Sequence, residues 1–62
     1  MKITAKELLR SCEVQGEVVL CYYDEDKMER VPFLVNSYLA NNEVRYLYVD
    51  DDKLYIEVEK DD

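Results

Sequence analysis

The side chains with the most chemical capacity are two thiols, Cys12 and Cys21, and two carboxylate runs, Asp24-Glu25-Asp26 and Asp50-Asp51-Asp52. A thiol becomes a nucleophile when a neighbouring base or cation lowers its pKa. The chain contains no histidine, so the commonest general base and nitrogen ligand is missing. No His or Asp arrangement stands ready to activate either cysteine, and Ser11 and Ser37 have no visible base. The single glycine, Gly16, cannot make a Gly-rich phosphate loop. Enzymatic activity is therefore not expected. The carboxylate runs invite a calcium reading, because calcium takes several carboxylate oxygens. Neither run has a glycine at the sharp bend or a closing bidentate glutamate, so both read as solvated hairpin tips. No metal and no cofactor are expected.

Tyrosines are the next candidates. Glu43 to Lys60 contains two β-rich runs around the turn Asp50-Asp51-Asp52-Lys53, the clearest hairpin in the chain. Pairing Val49 with Leu54 sets Leu47 against Ile56, Arg45 against Val58, Tyr48 against Tyr55 and Tyr46 against Glu57. Opposed residues share a face. Leu47, Val49, Leu54, Ile56 and Val58 then gather on one face, with Arg45 at its rim. Slipping the second strand by one residue would place two glutamates in the core, so this register is the expected one. The other face carries Tyr46, Tyr48, Tyr55, Glu57 and Glu59, which are the candidate partner-binding residues. Rigid amphipathic rings dominate interface hot spots, and these rings are expected to stay at least half exposed, rimmed by Glu57 and Glu59. The competing reading is plain: tyrosine is a good strand former whose hydroxyl tolerates water.

The elements that must hold this hairpin follow from the rest of the chain. Thr4-Ala5-Lys6-Glu7 is a capping box, with Ile3 and Leu8 as its hydrophobic staple, opening a helix over Met1–Glu13. Ala5, Leu8, Leu9 and Cys12 lie at the spacing of one apolar helix face, and Gly16 is the natural stop. Glu17–Tyr23 is a strand on which Val18 and Leu20 alternate with Cys21. Cys12 is thus expected in the core and Cys21 on the outer side. Met28–Asn42 reads two ways, as a strand over Glu29–Leu34 with one helical turn at Tyr38–Asn41, or as one helix opened by Pro32. The strand is preferred, since no Ser, Thr, Asp or Asn caps a helix before Pro32.

The expected fold is one α+β domain over residues 1–62: an N-terminal helix on one face of a four-stranded antiparallel sheet, in the order α-β-β-(short α)-β-β. Its expected core is Ile3, Leu8, Leu9, Cys12, Val18, Leu20, Val31, Phe33, Leu39, Leu47, Val49, Leu54, Ile56 and Val58.

Charge bounds the partners. Residues 1–16 hold three bases against two acids and residues 17–62 hold five against thirteen, for a net charge of −7. Direct nucleic acid or membrane binding is not expected, because phosphate contacts need clustered Lys and Arg. Lys2, Lys6 and Arg10 recur along the exposed side of the helix, where they keep it soluble. With no signal-peptide pattern, no long apolar run and no Cys-x-x-Cys pair, the expectation is a cytoplasmic protein with reduced thiols.

The capped helix Ile3-Thr4-Ala5-Lys6-Glu7-Leu8-Leu9, the Val-rich strand ending in an acidic turn, and Glu43-Val44 opening the last hairpin resemble one group of sequences. These are short uncharacterised proteins of phages and mobile elements of Gram-positive gut bacteria. The resemblance spans most of the chain and carries over no activity or site residue. Together with the charge, it makes the expected function a small acidic protein-binding module for a partner with a basic surface, a decoy for a nucleic-acid-binding groove being its sharpest form. The alternative is a homodimer or larger assembly joined through an edge strand or the tyrosine face.

Overall fold

Thr4 starts the helix by the chemistry of its side chain. In the computed structural model, which describes residues 2–60, its hydroxyl accepts the Glu7 amide and the Glu7 carboxylate accepts the Thr4 amide, both at 3.1 Å. The helix, α1, spans Ala5–Ser11, shorter than expected at both ends; Met1 lies outside the described residues. It ends where the backbone at Cys12 turns extended, at φ −151° and ψ 155°, and two side chains bond to its last carbonyls. Ser11 Oγ donates to the Glu7 carbonyl at 2.8 Å, and Cys12 Sγ donates to the Leu8 carbonyl at 3.3 Å. Gly16, at φ +109°, then turns the chain into the sheet.

The four strands are β1 (Glu17–Asp24), β2 (Glu29–Phe33), β3 (Val44–Asp50) and β4 (Lys53–Val58), and a 3₁₀ turn over Tyr38–Asn41 precedes β3. Ser37 caps that turn, accepting the Leu39 amide at 3.2 Å. The class is α+β, but the sheet is mixed rather than antiparallel. Its order is β2-β1-β4-β3, with β1 and β4 running parallel at the centre and each hairpin partner outside. The segment after β2 carries the chain from one edge of the sheet to the other, so that β4 can lie beside β1.

Two hairpins of similar sequence turn differently. Asp51 and Asp52 sit at φ 50° and 60°, a two-residue loop closed by the pair Asp50–Lys53. The first hairpin needs four residues between Asp24 and Glu29. There Asp24 accepts the amides of Asp26 and Lys27 at 3.0 and 3.3 Å, and Met28 takes the positive φ of 54°. Asp24 is buried, and its carboxylate is satisfied by this turn and by Lys60 at 4.0 Å.

On the helix side, Val18, Leu20 and Tyr22 stand beside Leu54, Ile56 and Val58, with Phe33 opposite Leu20. Ala5, Leu20, Val44, Ile56 and Val58 form the buried centre, and Ile3, Leu8, Leu9, Val18, Tyr22, Phe33 and Leu54 pack around it. Five expected core members are not there, and two of them, Val31 and Leu39, are partly buried outside this cluster. Cys12 falls beyond the shortened helix and is exposed. Leu47 and Val49 lie on the edge strand, where a helix of seven residues does not reach, and are 42% and 72% exposed. Arg45 does not oppose Val58 either. A bulge between Val44 and Tyr46 leaves Arg45 as the extra residue and puts Val44, 1% exposed, against Val58. The bulge places an apolar side chain where a flush register would have placed a guanidinium.

Candidate functional site

Strand alternation sets the uncovered face. Val19, Cys21 and Tyr23 of β1, Arg30 and Pro32 of β2, Tyr46 and Tyr48 of β3, and Tyr55 and Glu57 of β4 all point away from the helix. The hairpin pairs Tyr46–Glu57 and Tyr48–Tyr55 stand in the expected register. What lies over them is Arg30, which sequence reasoning did not single out.

Arg30 starts on the edge strand opposite Tyr23 and reaches across β1 to β4. Its Nε donates to Glu57 Oε1 at 2.7 Å, and its guanidinium lies 5.0 Å from the Tyr48 ring centroid. The hydrogen bond to Glu57 holds the Arg30 guanidinium above its usual pKa. Tyr48 in turn stacks on Tyr55, ring centroids 5.1 Å apart and planes within 2°. One cation therefore links β2, β3 and β4 across β1. Glu57 is central and buried at 5% exposure rather than a rim residue, and Tyr48 and Tyr55 are only partly exposed, short of the half expected. Tyr46, 55% exposed, and Glu59 remain open to solvent.

Cys21 lies under this roof, paired with Pro32 on one side and Glu57 on the other, and is 2% exposed. Its face is the outer one, as its alternation requires, yet it is the buried cysteine and Cys12 the exposed one. Burial pushes the Cys21 thiol up, and the Glu57 charge adds to this against the opposing pull of the Tyr48 hydroxyl at 4.0 Å. Burial likewise pushes the Tyr48 hydroxyl up to about 12. At neutral pH both groups are protonated, so the cluster is a packed polar network with no thiolate nucleophile.

Beyond the roof, at the end of the face where β1 runs into its turn, lies a groove of about 820 Å³. Tyr23 and Tyr46 line it, 37% and 55% exposed, together with Glu25, Asp26, Glu59, Arg45 and Lys60. Arg45 lies 5.8 Å from the Tyr46 ring centroid, and Lys60 lies 5.3 Å from that of Tyr22. Among the described residues, Glu25, Asp26 and Glu59 make no ion pair within 4 Å. The groove thus pairs these carboxylates with accessible rings. Of the expected partner-binding residues it gathers Tyr46, Glu57 and Glu59, leaves Tyr48 and Tyr55 in the packed stack, and adds Tyr23 and Arg45. Tyr23 had a legible signal: it lies two residues beyond Cys21 on the outer side of its strand.

Among the described residues no group of three or more Cys, Asp or Glu is arranged to hold a metal ion, and no helix is long and apolar enough to cross a membrane. No protein-family model matches the chain, and no curated protein and no solved structure matches it either.

Proposed function

We propose that this chain is a small acidic protein-binding module, and that a partner with a basic segment docks in the groove between Tyr23 and Tyr46. The observation that carries the reading is the composition of that groove: two accessible rings beside Glu25, Asp26 and Glu59, which make no ion pair among the described residues although Arg45 and Lys60 also line the groove. Such a site takes a Lys or Arg side chain between a carboxylate and a ring face, where cation–π and charge-assisted hydrogen bonds add. The net charge of −7 draws a basic partner in before contact. The roofed cluster of Arg30, Tyr48, Tyr55 and Glu57 is the platform that keeps the groove wall in place. A decoy that copies a nucleic-acid backbone has less support. The acidic turns lie at opposite ends of the sheet, about 23 Å apart by strand rise, and Arg30 occupies the middle of the face.

Calorimetric titration with a short Lys/Arg-rich peptide tests the reading. Tyr46→Ser should weaken binding about tenfold, the loss of one aromatic contact of about 1.4 kcal/mol. Neutralising Asp51 and Asp52 to Asn, far from the groove, should change it by less than about threefold. The opposite ranking would reduce the interaction to general attraction between charges and remove the groove from the account.

A further inference from the structure

The two edges of the sheet are not equivalent. Strand β2 is five residues long and carries Pro32, which has no amide to offer a neighbour, beside the charged Glu29 and Arg30. Strand β3 is seven residues long, has no proline, and exposes Leu47 and Val49 at 42% and 72%. Among the described residues, no backbone group outside its hairpin bonds to those two residues either. The loop of Asp51 and Asp52 makes Asp50–Lys53 a hydrogen-bonded closing pair, after which bonded and non-bonded pairs alternate. Leu47–Ile56 and Val49–Leu54 are the non-bonded pairs, so the N–H and C=O groups of Leu47 and Val49 point outward. We infer that β3 is a self-association edge: a second copy of this chain pairs with it antiparallel, about a two-fold axis at Tyr48, giving one continuous sheet of eight strands.

The N-terminal stretch selects the register. The Val44 amide already donates to the Ile3 carbonyl at 2.8 Å, and Thr4 bridges Glu43, so the edge is occupied up to Val44. A pairing centred on Leu47 would lay the second copy's Asp50 against Val44 and compete with Ile3. Centring on Tyr48 stops short of it. Leu47 then meets the second copy's Val49, and Arg45 meets the second copy's Asp51, each contact made twice by symmetry. The exposed apolar pair covers itself, four backbone hydrogen bonds form at Leu47 and Val49, and the bulge residue Arg45 finds a carboxylate. Both helices fall on one side of the joined sheet and both grooves on the other. The dimer leaves Tyr23, Glu25, Asp26 and Glu59 of each groove open, and engages Arg45, which also lines the groove, at its seam.

Seven residues of strand edge make a small contact beside the about 1,200 Å² of a stable interface, so the association is weak. Sedimentation equilibrium from about 10 μM to about 1 mM covers the relevant range. A reversible monomer–dimer transition is expected in the wild type. Arg45→Asp and Asp51→Arg should each weaken it at least tenfold, and the double variant should recover it. Asp51→Arg discriminates sharply. It lowers the net negative charge, so general repulsion predicts a tighter dimer where the register predicts a weaker one. Val49→Lys, at an exposed position, should also be monomeric with an unchanged circular dichroism spectrum, and it decides the matter if a charge variant fails to fold. A wild type that stays monomeric throughout, a dimer that survives Val49→Lys, or a double variant that does not recover overturns the inference.

Discussion

Replacing Val44 and Arg45 separately by alanine tests the bulge that turns this chain from a flush hairpin into the observed sheet. Val44 is 1% exposed and sits against Val58 and the buried centre, whereas Arg45 is exposed. Val→Ala removes the equivalent of two methylene groups, about 1.6 kcal/mol of transfer free energy. The neighbours are held by two strands and collapse only partly into the space, which raises the loss to about 2–3 kcal/mol. A domain of 62 residues has roughly 3–9 kcal/mol in total, so Val44→Ala should remove a large share of the stability. In a thermal melt that is a fall of about 10–20 °C, and in urea a lower midpoint with an unchanged slope. Arg45→Ala should stay within about 0.5 kcal/mol of the parent. Should Arg45→Ala cost as much as Val44→Ala, or more, the flush register with Arg45 against Val58 is correct and the bulge is not.

Three further outcomes follow from the same geometry. A thiol reagent added to the native protein should modify the exposed Cys12 well before Cys21, with Cys21 reacting only on unfolding; equal rates would mean that Arg30 does not roof the sheet. Asp52→Gly should stabilise the protein by about 0.5–1 kcal/mol, because Asp52 holds φ 60° in a loop whose second position favours glycine; denaturant titration gives the value, and a loss would show the loop conformation to be wrong. Tyr48 keeps its proton up to about pH 12 when folded, against about 10 in an unfolded chain, so its contribution is complete below pH 10 and declines as pH rises toward 12. Part of the ring meets solvent, so the decline is about 1–2 kcal/mol; Tyr48→Phe should flatten that limb of the stability profile, and an unchanged limb would show that Tyr48 is not the group responsible.

What was legible in the sequence was local chemistry. Thr4 and Glu7 announce their own capping box, and the alternation in Leu54–Glu59 sets the register of the last hairpin, because a slip would bury charge. Parallel pairing of β1 with β4 was not legible, since it depends on which way the chain crosses the sheet and leaves no mark at either strand. One sign was available: Val18-Val19-Leu20-Cys21 is apolar on both faces, as a central strand is and an outer one is not. The expected exposure of the tyrosine face rests on one assumption, that a face without a helix is open, and the structure departs from it. Arg30 is long enough to cover it, and Glu57 was the carboxylate it needed. Cys21 lies on the expected outer face and is buried rather than open for that reason. Val44 is not legible as core because the extra residue of the bulge reverses the in-out phase before it, and strict alternation back from Leu47 points Arg45 inward instead.

The groove is tested most directly by nuclear magnetic resonance of the labelled chain titrated with a short Lys/Arg-rich peptide. The two acidic ends of the sheet serve as each other's control: Asp50, Asp51 and Asp52 carry as many carboxylates as Asp24, Glu25 and Asp26, but only the latter adjoin Tyr23 and Tyr46. Saturable amide shifts at Tyr23, Glu25, Asp26, Tyr46 and Glu59, with the Asp50–Asp52 turn left nearly in place, are the predicted result. Shifts of equal size at both ends, or confined to Asp50–Asp52, would contradict it.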